Sequence, residues 1–314
     1  MFKQLLIVLL FSNIYAKDIK PTHSFESVGF VNDFVLNSEK LYVANDMGTI
    51  DIFDIKTQKI INQILLPPLT SSMDKIVPAD VLSVDYLDGK ILILSVGKDS
   101  YRNVWIYENY MLKRIIDEDR KLTIKEARFV DSERIMLATL DSEITLHDIG
   151  ENYNLYKTHV SQSAMGDVSL SDDKKSMIVA DESGAVRLID VSSSEILQTY
   201  SSQNVDNIYK AVFSNGVIIT AGQDRRVGVY QKNQKPYYIK SDFLVFCVGI
   251  SQDGEIGAYS SGENGDLQLF NTKSKKRYER LIGHKGVVNK IVFINKKEIL
   301  SSQRGRKVLY WKIN

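Results

Sequence analysis

The chain contains four histidines and one cysteine, residue types that commonly bind transition metals or attack substrates. His284 stands out because it follows a glycine just before an alternating apolar run, in the stretch LIGHKGVVNKIVF. It has no Cys, Asp or second His at the spacing that a metal site requires. Cys247 lies in the apolar stretch LVFCVGI, which is typical of a buried, inert thiol. The sequence therefore predicts no metal site and no cofactor.

The sequence also lacks the common catalytic motifs. It contains no Walker glycine loop, no G-x-S-x-G nucleophile elbow and no H-E-x-x-H zinc motif. A single cysteine excludes an intramolecular disulfide and a C-x-x-C-H haem attachment site. Carboxylates are abundant, but turns favour them for their local backbone hydrogen bonds. We therefore expect no catalytic residues and a protein that is not an enzyme.

The composition is that of an ordinary globular protein. Of 314 residues, 44% are hydrophobic and 25% are charged, so the chain can bury a large core. The formal net charge of +1 argues against nucleic-acid binding. Only 5 prolines occur, and no flexible linker divides the chain.

The first 16 residues have the pattern of a secretory signal peptide. MFKQLLIVLLFSNIYA has one positive charge, at Lys3, an apolar core at 5–11, and Ala16 before Lys17. This core is too short to span a bilayer, which needs about 20 apolar residues. We expect cleavage after Ala16, a mature periplasmic protein and no stable membrane span.

Beyond the N-terminus, runs rich in Val, Ile, Tyr and Phe alternate with turns rich in Asn, Asp, Ser and Gly, a pattern typical of β-strands. The unit KAVFSNGVIITAGQDRRVGVYQKNQKPYYIKS contains four such runs. The positions that close each third strand recur at intervals of 53, 41, 42, 40, 41 and 41 residues. They are Phe53, Ile106, His147, Ile189, Val229, Phe270 and Trp311. A period of about 40–45 residues with four strands indicates a β-propeller blade.

We predict an all-β fold, a seven-bladed β-propeller of four-stranded antiparallel blades over residues 17–314. The predicted blades are 30–66, 79–117, 124–160, 165–202, 207–242, 244–283 and 287–314 plus 21–29. The last unit stops after its third strand, so we expect 21–29 to supply its outer strand. This N-terminal strand would close the ring, which would otherwise expose unpaired backbone groups. The long first interval reflects insertions at 67–80 and 97–103.

Several stretches resemble degenerate WD repeats over nearly the whole mature chain: TAGQDRRVGVY, VADESGAVRLID, the Gly-His pair at 283–284 and the closing Trp311. In that family a His, a Ser or Thr, a turn Asp and a Trp form a structural hydrogen-bond network in each blade. The resemblance implies this structural role for His284, for Ser301 or Ser302, and for Trp311.

Two blades depart from the family pattern in opposite ways. The last blade lacks the turn Asp, because its turn reads Arg-Gly-Arg at 304–306. The fifth blade has the turn Asp, Asp224, but no His.

With no catalytic motif, the fold points to a binding platform whose function lies in its surface turns. We expect basic side chains from blades five and seven to gather on the face of the tight turns and to bind a protein partner. They are Arg225, Arg226, Lys285, Arg304 and Arg306, with Lys307 beside them. Asp181 and Glu182 lie on the blade-four side, so we expect an electrically divided face. We also expect a monomer.

The exported single-domain propeller further resembles the accessory protein (NapL type) associated with periplasmic nitrate reductase. AGQDRRVGVY followed by LVFCVGIS carries this resemblance, together with the signal peptide and LIGHKG. It implies a non-catalytic role in assembling, maturing or supplying electrons to the reductase. Two alternatives stay open: a propeller hydrolase or lactonase with a metal over the central channel, and a generic cell-envelope scaffold. Asn45, Asp46, Glu263 and Asn264 could supply ligands for such a metal.

Overall fold

The computed structural model describes residues 17–71 and 73–313, and the predicted signal peptide lies outside them. Within these residues the regular structure is β-strand, apart from two short 3-10 turns at Lys98–Ser100 and Glu118–Arg120. Seven antiparallel four-stranded sheets form the blades of a β-propeller, so the predicted fold class is confirmed. The first strand of each blade is innermost and contacts the first strands of neighbouring blades.

The first two strands, β1 (Asp18–Ile19) and β2 (His23–Glu26), join the last two blades. Blade 1 consists of β3 (Val31–Asn37), β4 (Lys40–Asn45), β5 (Thr49–Asp54) and β6 (Ile60–Leu65). A small hairpin follows, formed by β7 (Leu69–Thr70) and β8 (Ile76–Val77). Blade 2 consists of β9 (Val81–Leu87), β10 (Lys90–Val96), β11 (Arg102–Glu108) and β12 (Met111–Ile116). Blade 3 consists of β13 (Ile124–Phe129), β14 (Arg134–Thr139), β15 (Glu143–Asp148) and β16 (Tyr153–His159).

Blade 4 consists of β17 (Met165–Leu170), β18 (Ser176–Asp181), β19 (Val186–Asp190) and β20 (Ile196–Tyr200). Blade 5 consists of β21 (Ile208–Ser214), β22 (Val217–Gly222), β23 (Arg226–Gln231) and β24 (Tyr237–Lys240). Blade 6 consists of β25 (Val248–Ile250), β26 (Ile256–Ser261), β27 (Asp266–Asn271) and β28 (Arg277–Leu281). Blade 7 consists of β29 (Val288–Asn295), β30 (Glu298–Gln303) and β31 (Lys307–Lys312), completed by β2.

The N-terminal segment closes the ring, as the sequence predicts. Strand β2 pairs antiparallel with β31, with Phe25 opposite Val308, and Phe25 is fully buried. The segment also makes a contact that the sequence analysis did not predict. Strand β1 runs parallel to β28 and extends blade 6 by a short fifth strand, supported by an ion pair of 2.9 Å between Asp18 and Arg280. Both ends of the chain are therefore held within the ring.

The strand registers correct two positions of the sequence repeat. Tyr230 pairs with Ile218 as Trp311 pairs with Ile299, so Tyr230 rather than Val229 closes the third strand of blade 5. Tyr107, not Ile106, does so in blade 2. Both Val229 and Tyr230 are buried, because a middle strand of a blade is covered on both faces. Because neighbouring residues of such a strand are all apolar, the sequence alone does not show which of them occupies the repeated position.

The hydrophobic core lies between neighbouring blades. One cluster joins Phe25 and Val308 of blade 7 to Phe34 and Phe53 of blade 1. Packing of this kind fixes each blade against the next, so the turns at the two ends of the propeller are held in defined positions.

Candidate interaction surface

A buried hydrogen-bonded chain links the connection before blade 7 to two of its strands. His284 in the connection places Nε2 2.7 Å from Oγ of Ser301 on β30. Trp311 on β31 donates from Nε1 to the same Oγ at 2.6 Å. Ser302, the other serine that the sequence allowed, instead donates to Asn289 at 2.5 Å. The geometry therefore selects Ser301 as the hydroxyl that joins His284 to Trp311.

We assign His284 the tautomer that carries its hydrogen on Nδ1. An indole N–H can only donate, so Oγ of Ser301 accepts from Trp311, and in this assignment the Ser301 hydroxyl donates to Nε2 of His284. The neutral imidazole then carries its hydrogen on Nδ1, which is buried and has no hydrogen-bond partner among residues 17–71 and 73–313. Burial lowers the pKa of His284 to about 4, so the ring is neutral at neutral pH.

Blade 5 builds the corresponding link from different residues. Oγ1 of Thr220 donates to Oδ1 of Asn204 at 2.5 Å. Nδ2 of Asn204 donates to one carboxylate oxygen of Asp224 at 3.1 Å, and the backbone N–H of Val205 donates to the other at 2.8 Å. Asn204 thus fills the place of the missing histidine. The WD-repeat pattern has a histidine at this position, so Asn204 does not stand out in the sequence, although an amide offers the same donor and acceptor pair.

Strand register shows which residue replaces Asp224 in blade 7. Five residues separate the paired Ala221 and Val227 of blade 5, and five separate Ser302 and Val308 of blade 7. Gly305 therefore stands at the position of Asp224. The backbone N–H of Lys285 instead donates to Oε1 of Gln303 at 2.6 Å. Gln303 supplies an acceptor but no charge, so this part of blade 7 lacks a carboxylate.

The two arginines predicted in the blade 5 turn behave differently. Arg225 is exposed and has a left-handed backbone, with φ 63°. Arg226 makes three contacts within its own region. Its Nε lies 3.7 Å from the carboxylate of Asp224, and one of its terminal nitrogens donates to the carbonyl of Gln203 at 3.3 Å. The Arg226 guanidinium also stacks 4.4 Å from the ring centre of Tyr238. Arg226 is thus partly committed to holding its own blade together.

The predicted partner-binding cations of blade 7 are exposed, and three of the four line one pocket. Lys285, Arg306 and Lys307 line a pocket of ≈ 630 Å³ beside His284. Arg304 is exposed in the same turn as Arg306, whereas Arg225 lies two blades away and does not line this pocket. We predicted that cations of blades 5 and 7 lie together. At this pocket only cations of blade 7 do so.

The acidic half of the predicted divided face is weaker than expected. Asp181 is fully buried and pairs with Arg187, and the hydroxyl of Ser161 donates to it at 2.6 Å. Only Glu182 of the two predicted acids is exposed. Asp181 therefore stabilises blade 4 and contributes no surface charge.

The blade 7 cations adjoin exposed apolar side chains of blade 1. Phe30 is 50% exposed and Met47 is 49% exposed. The N–H of Asp46 donates to the carbonyl of Phe30 at 3.1 Å, and the N–H of Phe30 donates to the carboxylate of Asp46 at 2.7 Å, which holds Phe30 beside the turn that carries Met47. The carbonyl of Gly305 accepts the N–H of Val31 at 2.8 Å, so the turn of blade 7 is fixed against this loop.

Two further bonds join these loops into one surface. Nε of Arg306 donates to the carbonyl of Ser27 at 3.0 Å, and the N–H of Arg304 donates to the carbonyl of Val287 at 3.1 Å. We call this surface the junction patch; it comprises Val28, Phe30, Met47, Val287, Arg304 and Arg306. It combines four exposed apolar side chains with two exposed arginines, and the partly exposed carboxylate of Asp46 lies beside Phe30.

A second cluster of charges surrounds the central axis. In each blade, one residue of the innermost strand faces the same position of the second strand, so the seven blades contribute seven equivalent residues. These residues, which we call the axial ring, are Asp33, Ser83, Glu126, Asp167, Lys210, Cys247 and Lys290. Asp33 of blade 1 pairs with Arg128 of blade 3 at 3.0 Å and with Lys290 of blade 7 at 2.5 Å. Lys210 pairs with Asp167 at 3.0 Å.

Mutual pairing offsets the burial of the axial charges. Burial alone would raise the pKa of Asp33, but Lys290 and Arg128 hold it well below its usual range. Burial raises the pKa of Glu126 despite the neighbouring Arg128. Burial also raises the pKa of Cys247 to about 12, so the thiol stays protonated, as the apolar sequence around it predicts. We assign the axial ring a structural role, because Asp33 pairs with Lys290 and Arg128, and Asp167 pairs with Lys210.

The two insertions of the sequence analysis converge on one pocket of ≈ 490 Å³ beside blade 2. Pro67 and Pro68 line one side, and Trp105 lines the other, with the guanidinium of Arg114 5.2 Å above its ring. Arg114 is itself paired with Glu118 at 3.0 Å. Within the pocket, the side chains of Arg114, Glu118 and Asn103 are engaged with one another.

The fold and this surface define the chain as a seven-bladed β-propeller. Among the described residues, no group of three His, Cys, Asp or Glu side chains is arranged to hold a metal, and the amide of Asn45 is engaged by Thr49 and Asp51. No helix in the same residues has the length and apolarity needed to cross a membrane. A scan against models of known protein families gave no match, and a search of curated proteins gave none either.

Proposed function

We propose that this protein is a non-catalytic interaction platform that binds a protein partner through the junction patch. The exposed Phe30 and Met47, bordered by Arg304 and Arg306, carry the proposal. Protein interfaces concentrate aromatic residues, Met and Arg at their centres, and a few such side chains supply most of the binding free energy. A propeller suits this role because its interblade core holds the loops rigidly before binding.

The charge of the patch defines the chemistry of the partner. Arg304, Arg306 and the neighbouring Lys285 are exposed cations on a chain whose formal net charge is only +1. The positive charge is therefore local, and an acidic surface on the partner would be steered to it. Exposed charges are screened within about 8 Å at physiological ionic strength, so association should weaken as salt is added.

The resemblance to the accessory protein (NapL type) supports periplasmic nitrate reductase as this partner, and the signal-like residues 1–16 support a periplasmic location. In this proposal the propeller assists assembly, maturation or electron supply and performs no chemistry itself. N-terminal sequencing of protein from an envelope fraction tests the location. We expect Lys17 as the first residue, and an intact Met1 would contradict export.

The partner is tested by measuring binding of purified periplasmic nitrate reductase to the immobilised propeller. Phe30→Ser combined with Arg304→Glu should weaken binding at least about thirtyfold, the effect of losing about 2 kcal/mol at a hot spot. Arg225→Glu on the same face and Lys59→Glu at the opposite end of the blades are matched controls. Both side chains are exposed, and both variants should bind like the wild type.

Two outcomes separate the general proposal from the specific partner. If the reductase does not bind, but the double variant alone loses a protein captured from envelope extract, the platform function stands and the reductase is the wrong partner. Equal binding by the wild type, the double variant and both controls would reject the junction patch as the binding surface.

A further inference from the structure

Blade 7 has a pocket beside the position at which blade 5 has a carboxylate. In blade 5, Asp224 accepts hydrogen bonds from Asn204 and from the N–H of Val205. In blade 7 the corresponding donors are Nδ1 of His284 and the N–H of Lys285, but Gly305 replaces the aspartate. Oε1 of the neutral Gln303 amide accepts the hydrogen bond from the N–H of Lys285. The Gln303 side chain also opposes the fall in the pKa of His284, but no described residue makes a hydrogen bond of good geometry to Nδ1 of His284.

Positive charge surrounds this position. Lys285, Arg306 and Lys307 line the pocket of ≈ 630 Å³, and His284 in its wall is 4% exposed. Lys307 lies 3.9 Å from Glu26, an exposed acid on the outer strand β2. A buried, unpartnered donor within a ring of cations matches the requirements of a carboxylate better than those of any neutral or cationic group.

We propose that the blade 7 pocket binds an aspartate or glutamate side chain of the partner; this inference rests on the proposed interaction function. The bound carboxylate replaces the amide oxygen of Gln303 as acceptor of the Lys285 N–H and also accepts the Nδ1 hydrogen of His284. The partner's carboxylate would thereby make in blade 7 the hydrogen bonds that Asp224 of the same chain makes in blade 5. Arg306 belongs to both this pocket and the junction patch, so a single acidic segment can contact both.

One substitution can supply the missing carboxylate from within the chain. A Cβ atom built at Gly305 meets only the side chain of Gln303, at 3.5 Å, which is ordinary van der Waals contact. The φ angle of Gly305 is not positive, so an L side chain is not strained there. Gly305→Asp should therefore fold and place a carboxylate near His284, while Gly305→Asn adds the same shape without the charge.

The test is calorimetric titration with hexaglutamate, with hexaglutamine as the uncharged probe. We expect hexaglutamate to bind the wild type and Gly305→Asn, and to bind Gly305→Asp at least about tenfold more weakly, a difference of about 1.4 kcal/mol. Lys285→Gln combined with Lys307→Gln should cause a similar loss. The His284 ring proton resonances should shift on binding in the wild type, which a nonspecific electrostatic contact would not cause.

Several results would overturn the proposal. They are equal binding of hexaglutamate and hexaglutamine, undiminished binding to Gly305→Asp, or binding without any change at His284. Succinate binding as tightly as hexaglutamate would show a small-molecule carboxylate site and reject a peptide ligand. If hexaglutamate binds as expected but no partner depends on Phe30 and Arg304, the pocket stands and the proposed function fails.

Discussion

Nε2 of His284 and Oδ1 of Asn204 occupy equivalent places in blades 7 and 5, and each is hydrogen-bonded to a hydroxyl on the second strand of its blade. An imidazole and a carboxamide are exchangeable here because each presents one donor and one acceptor. The repeats can therefore diverge in residue type while the connection remains tied to the sheet.

This equivalence predicts how blade 7 responds to substitution. His284→Ala should lower the free energy of unfolding by about 1–3 kcal/mol, because the buried hydroxyl of Ser301 loses its partner Nε2. His284→Asn should retain most of the stability, as the amide does in blade 5. Urea unfolding followed by intrinsic fluorescence measures both. Equal losses in the two variants would show that packing, rather than hydrogen bonding, is the contribution of His284.

The depressed pKa of His284 predicts a pH dependence. The unfolded chain binds a proton near pH 6.5, while the folded ring does so only near 4. Between these values the unfolded state holds more protons, so stability should fall as pH drops from 6.5 to 4, by up to about 3 kcal/mol. The slope should be reduced in His284→Asn. Identical pH profiles for the wild type and this variant would contradict the burial of a neutral ring.

Ring closure by β2 predicts different effects for two N-terminal deletions. Removing 17–20 deletes β1 and the buried Ile19, so it should lower the melting temperature, but it leaves the closing strand β2 in place and the product should stay monomeric. Removing 17–28 also deletes β2, exposes the edge of β31 and uncovers the core around Phe25, so we expect aggregation. Size-exclusion chromatography distinguishes the two products. A soluble, monomeric 17–28 deletion with unchanged melting would show that β2 is dispensable.

The contribution of Phe25 can be isolated by point substitution. Phe25→Ala should cost about 3–5 kcal/mol, because the side chain is fully buried between blades 7 and 1. Phe30→Ala provides the matched control, since Phe30 is 50% exposed and its loss should leave the free energy of unfolding nearly unchanged. Chemical denaturation compares the two, and similar losses would contradict the assigned core.

The axial ring predicts a stability effect without a binding effect. Asp33→Ala leaves Arg128 and Lys290 without their shared carboxylate, which should cost about 3–5 kcal/mol. Lys290→Ala on the Asp33→Ala background should cost less than it does alone. Partner binding, measured where the variants are folded, should be unchanged. A specific loss of binding at full stability would make the channel, rather than the junction patch, the site.

The sequence by itself determined the number of blades and the closure of the ring. Both follow from local signals, because strand-forming runs and turn residues repeat at a fixed period and the final unit lacks one strand. It also identified Gly305 as a departure from the repeat and Cys247 as a buried thiol. Such features depend on neighbours in sequence, so they can be read without knowing the fold.

Only the tertiary structure decided which residues meet. Asp33, Arg128 and Lys290 are far apart in the chain, and the ring brings them to one axis. Closure likewise places Phe30 of blade 1 beside the Arg304 turn of blade 7. The separation of Arg225 from that turn, and the burial of Asp181, also depend on how whole blades pack. Contacts of this kind arise from the curvature of the ring, which no local pattern of residues records.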